Sequence, residues 1–402
     1  MKKRSLVISL MLMCTLALSA CGGDGSKQAS ANTEASTNAA TEAVTEVATE
    51  NVVVGEEIKT EEIPEGMVVS DLTGEYIPAE IENQRPIAVS VDNEKIALPH
   101  YGLTQADIVY EVINSTDNEY VTRFLALMKD YSQIEQFGSI RSARATHCIL
   151  SIEWNAILCH DGGPFYITAF NDTSNGRNYD FRGNILHNLS GGFSRIPNGK
   201  PREFTEYITS GEVEKRMDSA NYDVEYNNYY GGTHFTFVND VELAGGKDAT
   251  YIALPFPHNN PELEYDAETG LYYYSEYGSP HLDPGNDNAQ LCFKNVIIQE
   301  AEMRTHMVNE VQQDEHGYMY YPLDNSSGKG YYAVNGKVIP ITWKKADMAS
   351  PTQYFDENGN ELVLNVGKTY IALVPSDAWR NSAVYRSSSK NYEVTWSDLV
   401  IK

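Results

Sequence analysis

Apolar positions change their spacing three times along this chain, and each change predicts a different kind of segment. Leu6 to Leu18 form a nearly unbroken apolar run behind Lys2, Lys3 and Arg4. That is the charged-then-apolar order of a secretion signal, and the run is too short for a comfortable transmembrane helix. From Gly22 to about Glu62 the chain is Ala, Thr, Glu, Asn, Ser and Val with no aromatic residue. Such a stretch cannot bury enough apolar area to offset the entropy of ordering it, so it predicts a flexible tether.

Beyond the tether, short apolar runs alternate with helical spacing. Ile87–Val91, Ile108–Val112 and Val121–Met128 read as strands, and the third is apolar on both faces, as a central strand of a covered sheet is. Ser142 predicts a helix cap, with Ala145, Cys148, Ile149 and Ile152 as the buried stripe. Ala156–His160 is a further strand running into Asp161-Gly162-Gly163-Pro164, and a helix is predicted over Arg202–Met217 with Phe204, Tyr207 and Ile208 on its apolar side.

After Gly246 strand and turn signals dominate. Tyr272–Tyr274, Leu291–Ile298, Tyr318–Pro322, Gly330–Val334, Val338–Trp343, Leu362–Leu364 and Tyr370–Val374 are separated by turns such as Asn335-Gly336 and Asp356–Gly359. The predicted fold class is α+β or α/β: an N-terminal mixed-sheet α/β domain over 80–240, then a β-rich C-terminal domain over 250–402, with 240–249 as an exposed connector.

Cys21 sharpens the reading of the first segment. In Leu18-Ser19-Ala20-Cys21-Gly22-Gly23 it stands where a bacterial lipoprotein signal is cut and the new N-terminal cysteine is lipidated. The chain then divides into a signal peptide at 1–20 and a lipidated cysteine with an acidic tether at 21–62. Acyl chains such as palmitate on Cys21 contribute about 0.8 kcal/mol per buried CH₂, and two or more chains anchor stably where one does not. The expected location is the outer, extracytoplasmic face of the cell membrane, with the folded part held about 30–40 Å away by a flexible coil.

The formal net charge of -26 argues against nucleic acid and against direct adhesion to anionic lipid. Cys14 leaves with the signal and Cys21 is acylated, so Cys148, Cys159 and Cys292 remain. Three thiols cannot pair completely, and no CxxC or Cys/His ligand spacing is present. They read as small buried hydrophobes, with no metal and no cofactor expected.

Several fragments, in order, resemble the YerB-type lipoprotein family, whose N- and C-terminal domains are of unknown function. They are Arg85-Pro86-Ile87-Ala88-Val89, Gly102 to Glu111, Thr122-Arg123-Phe124-Leu125-Ala126 and Gly138 to Arg144, then Asn295-Val296-Ile297, Gly328-Lys329-Gly330, Thr342 to Lys345 and Asn365 to Thr369. The resemblance implies a two-domain envelope lipoprotein and supplies no catalytic residues. Where that family tends to carry Pro-Gln-Ser before Gly-Leu, this chain carries Pro99-His100-Tyr101.

One candidate ligand site follows from the residues. Arg141 and Arg144 flank a predicted helix start, where free N–H groups and the helix dipole favour an anion. Arg123 lies on the neighbouring strand, and His160 ends a strand at a glycine turn, the usual ligand position in open α/β sheets. Arg182, Arg195 and Arg202 are near in sequence. The competing reading pairs these arginines with Asp107, Glu111, Asp161 or Glu203 as structural ion pairs.

The function expected is binding of a cell-envelope component, such as a wall polymer, an anionic glycan or a membrane partner protein, rather than catalysis. Two alternatives are a solute-binding receptor and a phosphotransferase or hydrolase of the LytR type, which the strand, strand, arginine-turn order resembles faintly. That type sets an acidic residue beside its turn arginine, whereas Arg141 is followed by Ser142. His147 reads as structural, Trp343 as core with Lys344 and Lys345 solvated, and the Asp356–Glu361 loop as a hairpin turn rather than a calcium loop.

Overall fold

The computed structural model describes residues 53–59, 63–163, 170, 188–305, 307–308, 312–313, 317–378, 383–385 and 394–395. Cys21 and Arg182 lie outside the described residues. The chain from Thr49 onward forms one compact unit. Its spine is a mixed sheet of eleven strands among the described residues: β1 (Ile87–Asp92), β2 (Ile108–Ile113), β3 (Thr122–Met128), β4 (Ile157–His160), β5 (Asn188–Ser190), β6 (Lys247–Asp248), β7 (Asn295–Ala301), β8 (Ser326–Val334), β9 (Lys337–Lys345), β10 (Gln353–Phe355) and β11 (Thr369–Pro375).

Side by side the strands run β6-β9-β8-β7-β11-β2-β3-β1-β4-β5, with β10 on β9. Strands from the second half of the chain therefore continue the sheet begun by the first. The seam is β11, which runs parallel to both neighbours: Asn295 pairs with Thr369 on one side and Thr369 with Ile108 on the other.

Burial on both faces explains the unbroken apolar strands. Every residue of β1, β2, β3 and β11 is buried, and alternate residues go to opposite cores. Ile87, Val89, Phe124, Val296 and Tyr370 face one core, and Ala88, Leu125, Ile297 and Ile371 the other. Both cores draw on both halves of the chain. The N-terminal half is thus a mixed sheet with helices and the C-terminal half is β-rich, as the hydrophobic pattern predicts.

Two helices of nine residues lie on this frame: α1 (Ala145–Glu153) and α2 (Glu212–Ala220). All of α1 is buried, and it ends where Asn155 turns left-handed at φ 51°. The Asn335-Gly336 turn closes β8 onto β9 with φ of 50° and 71°, the two left-handed residues a tight hairpin needs.

Five local expectations are corrected. Arg144, not Ser142, is the residue before α1, and its N–H donates to His147 Nδ1 at 3.2 Å. Arg202–Met217 is not one helix: a short 3₁₀ turn at Arg202–Phe204 leads into a strand at Glu206–Thr209 and then α2, because Tyr207 and Ile208 pair with Gly138 and Phe137. The tether does not run unbroken to Glu62, since Val53–Glu57 is a strand whose β-branched start pairs with Leu243 and Glu242. Residues 240–249 are not a bare connector, since Thr236–Leu243 and Lys247–Asp248 are both paired strands. Lys345 is not solvated: it is buried, with Nζ 3.0 Å from Glu153. Trp343 is core, its Nε1 donating to the Glu300 carbonyl at 2.9 Å.

Candidate functional site

Strands β1, β4 and β5 run parallel to one another, so their C-terminal ends, at Asp92, His160 and Ser190, open at the same edge of the sheet. Ligands of open α/β sheets collect at such an edge. The segment leading into α1 is clamped here: Arg141 N donates to Ser90 O at 2.8 Å, and Asp161 N donates to Arg141 O at 3.1 Å. Gly162 and Gly163, at φ 93° and 77°, allow that approach. A Cβ on Gly162 would meet Ser142 Oγ at 2.5 Å, and one on Gly163 would meet Ala143 O at 2.5 Å.

The sequence-predicted residues gather around Asp92, at the end of β1. Arg123 Nη1 lies 3.1 Å from Asp92 Oδ1, while Arg141 Nε closes on Oδ2. Arg141 Nη1 also binds Glu203 at 2.9 Å, and its guanidinium lies over the Phe204 ring, 4.9 Å from the centroid. Burial works against the charge of Arg141, but Asp92 and Glu203 outweigh it and hold its pKa above the usual value. Arg144 donates from Nη1 to Ala143 O at 2.8 Å and stacks on Tyr318 at 3.9 Å. His160 is buried, with Nδ1 2.9 Å from Gly162 O.

His147 sits among them. Burial, then Arg144, Arg123 and His160, push its pKa down to about 3, so it is a neutral ring in a cationic surround. Burial likewise lowers His160. The four predicted residues therefore do come together, and Arg123 and Arg141 do so through a shared carboxylate. Asp107 and Glu111 are not their partners: Asp107 accepts Lys129 N at 2.6 Å, and Glu111 belongs to a separate interior network.

Arg195 extends the cluster, and Arg202 contributes only its carbonyl, which accepts from Arg195 Nη1 at 2.7 Å. Arg195 Nη2 binds Asp161 at 2.5 Å and closes on the buried Glu206. Burial pushes the Glu206 carboxyl up to about 7, helped by Asp161. Asp161 is held low by its hydrogen bond from Glu206 and by Arg195. The two carboxyls thus meet at one guanidinium nitrogen, Arg195 Nη2.

Sequence reasoning missed Asp92 and Glu206. The legible signal for Asp92 was a lone carboxylate closing an apolar strand, Ile87–Val91. Glu206 had none, because the segment carrying it read as helix. A cleft of about 460 Å³, lined by Ile113, Tyr120, Leu254, Phe256 and Met303 among others, opens elsewhere, beside the end of β2.

Two family profiles match this chain: the N-terminal domain of a protein of unknown function, DUF3048, over residues 72–223, and its C-terminal domain over residues 252–371. The chain belongs to the DUF3048 family. A Bacillus subtilis protein named "Putative lipoprotein YerB" is 26% identical over 314 residues, covering 76% of this chain and 85% of that one. The crystal structure of the YerB protein from Bacillus subtilis has the same fold, with a TM-score of 0.62 at 24% identity over 79% of this chain and 99% of that one. The two matched segments meet where β11, which begins at the end of the C-terminal match, pairs with β2 of the N-terminal match.

Proposed function

We propose that this DUF3048 protein is a lipid-anchored extracytoplasmic protein that binds an anionic component of the cell envelope at the C-terminal ends of β1, β4 and β5. The observation that supports it is the convergence of Arg123, Arg141, Arg144 and Arg195 on that edge, beside the start of α1. The anchor is carried by the signal-like run before Cys21 and agrees with the name of the YerB relative. Acylated Cys21 would hold the chain to the bilayer. A wall polymer or an envelope protein bearing phosphate or carboxylate groups would be the partner.

The ion pairs define how such a ligand enters. Asp92 and Glu206 have fully buried side chains, whereas Glu203 and Asp161 are 54% and 32% exposed. An incoming anion displaces Glu203 from Arg141 and Asp161 from Arg195, leaving the buried partners in place. The guanidinium fork holds two oxygens at once, which an ammonium cannot do.

Calorimetry of the full chain in detergent with anionic wall-glycan fragments and with a lipid-linked pyrophosphate tests this. Charge-assisted bonds contribute about 1.5–3 kcal/mol each, so Arg141→Lys should weaken binding about tenfold or more, and Glu203→Gln should strengthen it by removing the competitor. No heat with either ligand, or equal affinity for Arg141→Lys, would overturn the reading. Release of phosphate from the pyrophosphate ligand would instead favour a transferase or hydrolase using the Glu206 proton. Cys21→Ala should abolish palmitate labelling, and a variant that keeps the label would sink the anchor.

A further inference from the structure

A second polar cluster lies in the interior, between the end of β2 and the hairpin that follows Tyr274. Glu111, fully buried on β2, accepts hydrogen bonds from neutral donors only: Asn93 Nδ2 at 3.1 Å, Thr122 Oγ1 at 2.9 Å, Asn259 Nδ2 at 2.7 Å, Tyr274 OH at 2.9 Å and Tyr370 OH. Asn259 also reaches Glu276 Oε2 at 3.1 Å, and Glu276 Oε1 lies 2.8 Å from His281 Nδ1. The His100 ring faces that of His281 with centroids 5.0 Å apart.

His100, Glu276 and His281 stand together in this interior cluster. They are 0%, 1% and 2% exposed, in that order, yet Nε2 of His281 makes no hydrogen bond, and the polar contact of the His100 ring is with the Asp92 backbone alone, which leaves its other nitrogen without one. Buried polar atoms are almost always paired, and an orphaned one calls for a ligand or a cost. One donor atom from each of the three lies within 4.8 Å of the others. Ligand atoms on a tetrahedral ion at about 2.0–2.1 Å stand roughly 3.3 Å apart, so small side-chain rotations close the set.

We propose that His100, Glu276 and His281 bind one divalent transition-metal ion of the zinc class, tying the N-terminal half of the fold to the C-terminal half. Two imidazoles and a carboxylate suit zinc or cobalt and do not suit calcium or magnesium, which take oxygen ligands. The charge balance agrees. Glu276 is a buried carboxylate, and the cations near His100 are already engaged: Arg123 by Asp92 at 3.1 Å, and Lys200 by the carbonyls of Ala97 and Leu98 at 2.7 Å each.

The scaffold also fits. Asp283, two residues after His281, holds the turn after His100 by accepting from Gly102 N at 3.1 Å and Thr104 Oγ1 at 2.7 Å. The two ligand-bearing segments are therefore pinned to each other independently of any ion. Ligating histidines are usually oriented by such outer contacts.

The test uses the full chain, stripped with a chelator and dialysed against zinc chloride, then separately against cobalt chloride. Zinc should be retained at one ion per chain, the thermal midpoint should rise with zinc, and cobalt should give the visible absorption of a nitrogen-ligated low-coordinate site. His100→Ala and His281→Ala should each weaken zinc binding at least a hundredfold, while His258→Ala, whose histidine lies outside the set, should not. Stoichiometric binding that survives His100→Ala and His281→Ala overturns the proposal, as does a stripped parent that takes up no more zinc than the double variant. Should either alanine variant fail to fold, the cobalt spectrum of the parent still decides, and a spectrum of fully aquated cobalt overturns the site.

Discussion

Lys345 Nζ lies 3.0 Å from Glu153 Oε2, and the two side chains are 0% and 1% exposed. The pair joins β9 of the C-terminal half to α1 of the N-terminal half, and Thr352 N and His234 Nε2 attend the other carboxylate oxygen at 2.8 Å and 3.6 Å. Removing one member of a buried pair strands the other, at about 3–5 kcal/mol. Lys345→Met should therefore cost more stability than the double variant Lys345→Met with Glu153→Leu. Urea midpoints for parent, single and double variants check the order, and a single variant as stable as the parent would contradict it.

The seam at β11 predicts how the unit unfolds. Because β11 sits between β7 and β2, separating the halves strips the edge of β2 and uncovers apolar surface on both faces. Fragments 63–240 and 241–402, made separately, should be aggregated or rapidly proteolysed. The whole chain should melt in one transition by calorimetry. Two independent transitions, or two stable fragments, would show that the shared sheet is not cooperative.

Arg123 and Arg141 share Asp92, yet their side chains are 5% and 18% exposed, and that difference separates their roles. Arg123→Met should lower stability, since it removes the more deeply buried of the two cations on Asp92 and leaves that carboxylate with Arg141 alone. Arg141→Lys keeps a cation at the rim and should change the thermal midpoint little. Equal losses from the two substitutions would remove the distinction between a structural arginine and a ligand-facing one.

Glu206 carries a pH signature. Its carboxyl is pushed from 4.5 up to about 7 by burial and by Asp161, so the folded state holds a proton that the unfolded chain has lost between those values. Stability from this group is present in full below about pH 4.5 and is lost as pH rises through about 7. Glu206→Gln should flatten that loss, as measured by urea midpoints from pH 4.5 to 8. A parent and variant with parallel pH profiles would rule out the raised carboxyl. The same proton makes the arginine edge less negative at low pH, so anion affinity should fall as pH rises across the same window.

What was legible in the sequence is what short-range physics encodes. Ile87–Asp92, Ile108–Ile113 and Thr122–Met128 announced themselves as strands by their short apolar runs, and the third as one covered on both faces because apolar residues from Phe124 to Met128 fall on both sides. Asn335-Gly336 announced a hairpin because its two residues tolerate left-handed backbone. Cys21 behind its apolar run set the expected address. The Glu206–Thr209 segment misled, because its apolar spacing suits a helix when read alone, and only pairing with Gln136–Gly138 makes it a strand.

Tertiary structure decided the rest. That β11 enters the sheet beside β2 depends on parallel pairing between segments far apart in sequence, which no local pattern marks. The arginines could be picked out by type, but whether they met each other or carboxylates depended on where β1, β4 and the segment before α1 converge, and Asp92 became their hub only there. His100 and His281 show the same limit most plainly. No ligand spacing links them along the chain, and they become neighbours only because Asp283 pins one hairpin of the second half onto one turn of the first. Hydrophobic periodicity specifies which residues are buried, whereas the partners a buried polar group finds are set by the fold as a whole.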